Sequence, residues 1–413
     1  MSKSRLKIWL ISDTVLWKIQ TYVVDYFENL ISKQSITIEW RFIPWTNIWI
    51  ELVDAFKSKN PPDIFEVGST WVATLAELGF LLPLNDFPFR DDFLSEWIYR
   101  NSCVKGEKFA VPWYVDLSML TARKDILDKL KMKSDDLISF EGFINASERI
   151  AKSVLNEGTI SDILPLGFSF RPEPSLLHNM IPFLWANGWD FPDFSKPPFK
   201  IFTDEKAIKT FDFIAKLWKR SLMPKTVAFT NYFIIQDEFF REGRFAFFIS
   251  HWSPDFIRIL GNELDDYKMN YPFTLIQFPA GEGGVFQWGG GSFLCVSAFT
   301  REREACYDFL RHFISDNFLK EKIKNEGRFS PYESVFKGTE NEILLNVRNL
   351  IKKSKSYPVH PLWFSIERFL YQGLSEILWS LADEGEFGEE SLNIAKKWDS
   401  NLNELFVTKW GVE

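Results

Sequence analysis

The sequence predicts an α/β protein of two lobes, with a chain that passes between them more than once. Strand and helix signals alternate through the first 80 residues, which implies a sheet with helical crossovers. A second strand, loop, strand and helix pattern returns near residues 275–315, long after the first unit has ended. At 413 residues the chain is also too long for one ordinary core. Two lobes separated by a cleft, each made from discontinuous segments, account for all three observations.

Residues 6–12 are an apolar run read as a buried strand. Asp13 and Thr14 stand where a helix N-cap is wanted, and 15–31 has helical spacing with one apolar face. Residues 36–43 alternate, are rich in β-branched side chains and end at Pro44. A helix over 45–57 is stopped by Asn60-Pro61-Pro62. Residues 63–67 give a third strand, 71–78 a third helix closed by Gly79, and 79–84 a further strand-like run. This order implies parallel strands with right-handed crossovers.

Gly106-Glu107 reads as the turn of a hairpin, followed by a strand at 117–122 and helices at 124–131 and 140–155. Further helices are predicted near 176–186, at 204–221 with Thr203 or Asp204 as cap, and at 236–242. A strand at 244–249 runs into His251-Trp252, and one at 275–278 into Pro279-Ala280-Gly281. The run Gly289-Gly290-Gly291 leads into a strand at 292–297 and a helix at 302–315. The remainder is largely helical, most strongly over 362–382.

Composition excludes several classes. A net charge of −8 argues against a nucleic-acid partner, because phosphate binding needs a basic surface. No apolar run approaches the roughly 18 residues that span a bilayer. The run at 6–11 is too short for a signal-peptide core, so the expectation is a cytosolic protein or a chain that starts after a removed targeting segment. Cys103, Cys295 and Cys306 have no CxxC spacing, and His178, His251, His312 and His360 are scattered. No metal site is therefore expected, and one disulfide, such as Cys295 with Cys306, is possible but not required. No nucleophile elbow, phosphate loop or cofactor motif is found, so no cofactor is expected. The outlying feature is aromatic content, with 17 Trp and 42 Phe, more than a core alone asks of its loops.

Six stretches, in order, carry a family resemblance. They are Pro62-Asp63-Ile64-Phe65 with Leu75 to Leu84; Gly106 to Asp116; Pro182 to Gly188; Phe202 to Pro224; Phe239 to Phe247; and Gly289 to Phe293. Together they resemble the extracellular solute-binding proteins of ABC transporters, in the maltose-binding-protein-like group that binds sugars and oligosaccharides. The Tyr-Asn usual after the first crossover is Thr121-Ala122 here. The resemblance implies a periplasmic-binding-protein-like fold, with 1–116 and 277–325 as N-terminal lobe and 117–276 and 326–413 as C-terminal lobe. Each lobe is then a mainly parallel sheet flanked by helices, with the ligand cleft between them and hinge bending on capture. It further implies a non-catalytic monomer that hands its sugar to membrane permease subunits. The implied location is periplasmic or extracellular, with a lipoprotein tether in the full-length form.

A sugar ring needs an aromatic face for its C–H groups and planar polar partners for its hydroxyls. Trp252 and Trp363 match ligand-contacting aromatics of the family. Trp71, beside Ser69 and Thr70, is expected to line the first lobe, with Glu66 either a hydroxyl partner or salt-bridged. Trp113, Tyr114 and Asp116 lie at the crossover, where one or two are expected to touch ligand. Ser12 and Asp13 close the first strand, and Asp13 is either a helix cap or a ligand group. Trp288 with Gly290 marks a loop that either lets backbone amides approach a sugar or is simply flexible. His178, Asn179 and Arg328 complete the candidates, whereas Trp9, Trp40, Trp218 and Trp379 read as core. Two alternatives stay open: the same role for a polyamine, peptide or phosphorylated polyol, and a glycosidase using Glu66 and Asp116, which would need carboxylates about 5–10 Å apart.

Overall fold

The alternation of β-branched strands and amphipathic helices sorts into two units in a computed structural model that describes residues 4–12, 17–31, 36–157, 163–251 and 271–410. The strands are β1 (Ser4–Ile11), β2 (Ile36–Ile43), β3 (Ile64–Gly68), β4 (Cys103–Val104), β5 (Glu107–Lys108), β6 (Ala110–Leu117), β7 (Met119–Arg123), β8 (Leu164–Gly167), β9 (Phe245–Ser250), β10 (Phe273–Ile276) and β11 (Gly289–Val296). The first unit holds the described residues up to Asp116 and Gly289–Phe364. The second holds the described residues of Leu117–His251, 271–288 and the chain from Ser365 onward.

In the first unit the sheet order is β2-β1-β3-β11-β6. β1 runs parallel to β2 along its whole length and parallel to β3 through Ile8 and Trp9. The helices Trp17–Ile31 and Trp45–Lys57 make the crossovers. Every residue of β3 is buried, as befits a strand covered on both faces, while the edge strand β2 alternates. β11 returns antiparallel to β3. Gly291 in β11 has φ +148°, and a Cβ there would lie 2.1 Å from the carbonyl oxygen of Tyr114. Gly291 is thus demanded by the approach of β6, and Gly290 is a buried strand residue rather than part of a flexible loop.

Two expectations change here. The run at 79–84 is not a strand: Leu81 makes one bridge to Ser297 and Leu82 N–H donates to Val296, after which Pro83 has no donor to continue. Residues 326–364, expected in the C-terminal lobe, belong to the first unit. Val115 bridges Phe329, Leu94 N–H donates to Pro331, and Tyr332 Oη donates to Pro112, so this segment is tied to the first sheet and its loops.

The second sheet has the order β10-β7-β9-β8. β7 is antiparallel to both β9 and β10, and only β8 and β9, connected through helices that include Pro174–Ala186 and Glu205–Lys219, run parallel. The mainly parallel arrangement expected of both lobes therefore fails in this one, since parallel neighbours need a crossover between them. Residues 277–288, expected with the N-terminal lobe, pack here, with Ala280 N–H on Ile138 and Gly283 N–H on Ala186. The helix Glu205–Lys219 is capped by Asp204, which accepts from Lys206 N–H. All three cysteines are free thiols. Among the described residues no helix is long and apolar enough to cross a membrane.

Candidate functional site

In the first unit, aromatic side chains gather where strands give way to helices. Trp45 begins the helix after Pro44, which ends β2, and Trp49 lies one turn further on the same face. Trp71 caps the short helix Val72–Glu77 just after β3. Phe364 comes from the first turn of the helix Trp363–Glu384, whose lead-in is held by Thr74 Oγ1 donating to the carbonyl of Pro361 at 2.7 Å. Trp71 meets Trp45 edge-on at 5.6 Å and Trp49 at 5.2 Å, and Trp49 stacks on Phe364 at 4.5 Å. None of these rings is fully buried, and Phe364 is 37% exposed. Trp363, the neighbour expected to stack on a ligand, is fully buried with its ring against Tyr357 at 4.7 Å. Trp45, Trp49 and Phe364 went unnoticed in the sequence, although a Pro-Trp at a strand end with a second Trp four residues on was a usable signal.

The same unit holds a buried set of charges. Glu66, in β3, accepts from Ile11 N–H at 2.7 Å, and burial raises its carboxyl although Lys322 opposes the shift. Lys322 bonds Glu326 at 2.7 Å and lies 3.6 Å above the Trp113 ring, with burial lowering its ammonium. Tyr22 Oη donates to the other oxygen of Glu326. Arg328 reaches both oxygens of Asp116, at 3.0 and 3.2 Å, and covers the ring of Tyr114, whose phenol is raised by burial.

Glu66, Trp113, Tyr114, Asp116 and Arg328, expected as separate sugar contacts or as an acid pair, thus belong to internally paired networks. Glu66 is engaged from within the unit, by the Ile11 N–H and the Ser292 hydroxyl. Ser12 N–H closes on Ile43, Ser69 is buried with its N–H on Gly291, and Thr70 is partly exposed beside Trp71. Asp13 and Trp252 lie outside the described residues.

The second unit presents a different chemistry. His178, on the helix Pro174–Ala186, stacks on Trp288 at 3.8 Å with 9° between the planes. His251 follows the end of β9, stacks on Tyr232 at 4.9 Å and meets His178 edge-on at 5.5 Å. Ser118 ties the group together: its hydroxyl donates to the His178 carbonyl at 2.7 Å and its N–H to the Trp288 carbonyl at 2.9 Å. His251 N–H donates to Tyr232 Oη at 2.8 Å.

Burial, and at His178 also the neighbouring His251, lowers both imidazoles, His251 to about 3. Asn179 is 2% exposed, and among the described residues neither its Oδ1 nor Nε2 of His251 has a hydrogen-bond partner. Buried polar atoms seldom stay unpaired, so these two beside an aromatic stack suit a polar ligand. His251 and Tyr232 were missed as site residues, although a histidine at a strand end next to Trp252 pointed there.

No group of three His, Cys, Asp or Glu side chains among the described residues is placed to hold a metal ion. The family model of the bacterial extracellular solute-binding proteins matches residues 23–342, and the chain belongs to that family. A curated relative, the diacetylchitobiose binding protein DasA of Streptomyces coelicolor, is 26% identical over 105 residues, which is 25% of this chain and 24% of that protein.

Solved structures share the fold over nearly the whole length. The GacH receptor of Streptomyces glaucescens, determined unliganded and with acarbose, has a TM-score of 0.78 at 18% identity, covering 98% of each chain. Maltose-bound MalE3 of T. maritima has a TM-score of 0.77 at 18% identity, covering 96% of this chain and 100% of that one. The substrate-binding protein Lmo0181 of Listeria monocytogenes, in complex with cycloalternan, has a TM-score of 0.76 at 14% identity, covering 98% and 99%.

Proposed function

We propose that this protein is the substrate-capturing component of an ABC importer and binds a carbohydrate, best an oligosaccharide, which it delivers to a membrane permease. Capture is non-catalytic and proceeds by hinge bending in the periplasm or outside the cell. The carrying observation is that each unit has an aromatic set at strand ends: the partly exposed Trp45, Trp49, Trp71 and Phe364 in one, and the His178–Trp288 stack with unpaired Asn179 Oδ1 in the other. Aromatic faces receive the C–H side of a sugar ring, and the amide and imidazole atoms receive its hydroxyls. Family membership and relatives whose names carry diacetylchitobiose, acarbose, maltose and cycloalternan support the same reading. Glu66 and Asp116, each engaged by its own partner, are poorly suited to the work of a glycosidase pair.

Thermal unfolding with maltose, acarbose, diacetylchitobiose, cycloalternan and tagatose tests this. A bound sugar at a hundred times its Kd stabilises the native state by about 2.7 kcal/mol, a shift of several degrees. No shift with any of the five, confirmed by calorimetry, overturns the sugar reading. Release of reducing ends from the oligosaccharides overturns the non-catalytic one.

A further inference from the structure

The first sheet ends on an open strand. In the order β2-β1-β3-β11-β6, β2 pairs with β1 on one side, and among the described residues no strand lies beyond it on the other. The outer edge of such a strand offers backbone N–H and C=O groups to another chain, and proteins commonly blunt it with charge, proline or a bulge. β2 instead keeps a regular ladder with β1 from Ile36 to Ile43, and Pro44 comes only after its end. Its charges are one acid and one base. Glu39 and Arg41 share an exposed face with Thr37, while Ile38, Trp40 and Phe42 make the opposite, half-buried face. On that second face Trp40 packs against Phe27 at 5.7 Å and Phe42 at 6.2 Å.

We propose that this edge is a self-pairing surface, on which β2 of one copy adds antiparallel to β2 of a second copy about a two-fold axis at Trp40. Among two-fold registers, this is the one that opposes the unlike charges. It sets Glu39 opposite the partner's Arg41, Arg41 opposite the partner's Glu39, Trp40 opposite the partner's Trp40, and Ile38 opposite the partner's Phe42. Directly opposed residues of an antiparallel pair share a face, so both ion pairs fall on the exposed face and the rings on the other. Moving the axis to Glu39 opposes two carboxylates, and moving it to Arg41 opposes two guanidiniums, so the charges also fix the register. Both side chains have partners within their own copy: Glu39 pairs with Arg5 at 2.6 Å, and Arg41 pairs with Glu51 and lies 4.7 Å above the Trp9 ring. They nonetheless keep 46% and 48% of their side-chain surface exposed. Pairing joins them into a row of alternating sign: Arg5, Glu39, the partner's Arg41 and the partner's Glu51. One strand edge buries less than the roughly 1,200–2,000 Å² of a standard stable interface, so the dimer is weak and reversible. It departs from the monomer that the family resemblance implies, and it rests on neither the candidate site nor the proposed function.

The test is sedimentation of the ligand-free full chain from low-micromolar to near-millimolar protein, with hydrogen exchange followed by mass spectrometry over the same range. A monomer–dimer equilibrium weakened by salt is expected, and the amides of β2 should exchange more slowly as protein concentration rises. Glu39→Arg and Arg41→Glu should each weaken self-association by about tenfold or more, because each sets like charges opposite one another twice. Mixed together, the two variants should recover the dimer, since one copy then brings two bases and the other two acids to the opposed positions. A substitution that merely loosens the fold gives no such recovery. If either variant fails to fold by circular dichroism, the concentration dependence of exchange in the natural chain decides alone. A monomer at every concentration overturns the proposal, and so does a dimer that leaves exchange in β2 unchanged. Folded single variants that associate like the natural chain, or a mixture of them that stays monomeric, overturn it as well.

Discussion

The two units handle polarity in opposite ways. In the first, the ionisable Glu66, Glu326, Asp116, Lys322 and Arg328 are buried or nearly so and partner one another or a backbone N–H, while Trp45, Trp49, Trp71 and Phe364 keep part of their surface exposed. In the second, the candidate site among the described residues is built from two imidazoles, an amide and a tryptophan. A charged network is stiff but fails badly when one member is lost, because the remaining ion stays buried without a partner. A neutral stack tolerates substitution, but pH can disturb it.

The contrast orders the expected outcomes. Lys322→Met should cost about 3–5 kcal/mol of stability in urea unfolding, since Glu66 and Glu326 would share a buried site with no cation. A cost below about 1 kcal/mol would mean that the network is already relieved by protonation of Glu66. Gly291→Ala should cost about 3 kcal/mol, from the strained φ and the collision with the Tyr114 carbonyl. Trp71→Ala should weaken sugar affinity by ~1–3 kcal/mol by calorimetry, extrapolating from aromatic stacking on planar bases, with little change in fold. His178→Phe should cost less than about 2 kcal/mol at pH 7.5, because a flat ring still covers Trp288.

The pH dependence has a definite sign. Both histidines are lowered from 6.5, so below that pH the unfolded chain takes up protons that the native one refuses. Their contribution is complete above about pH 6.5 and declines as pH falls toward 3, the folded value for His251. Stability measured in this window on His178→Phe should show a shallower fall than the natural chain, and an equal slope would place the titrating groups elsewhere.

How much of the candidate site was legible depended on how far each signal reaches. Trp71, Trp288, His178 and Asn179 stood out because each lies beside a strand end or helix start that local patterning marks. The roles of Glu66, Asp116 and Arg328 did not, since a carboxylate looks the same in sequence whether it faces a ligand or a guanidinium 212 residues away. Trp363 and Phe364 are adjacent, and helical spacing alone gave no way to decide which ring is covered by Tyr357. Strand β8 was hidden by Pro165, which reads as a loop residue although the strand is short enough to accept it.

The amino-acid order sufficed for the first three strands, their crossover helices and the long helix after Asp204, because alternation, helical spacing and capping act over a few residues. It also sufficed for the family, whose marks are short and ordered along the chain. Tertiary packing settled the rest: the unit to which 326–364 belongs, the direction of strands in the second sheet, the pairing of buried charges, and the rings that remain exposed. Each of those is set by a partner distant in sequence, and burial energy depends on that partner rather than on the neighbours that a local pattern can see.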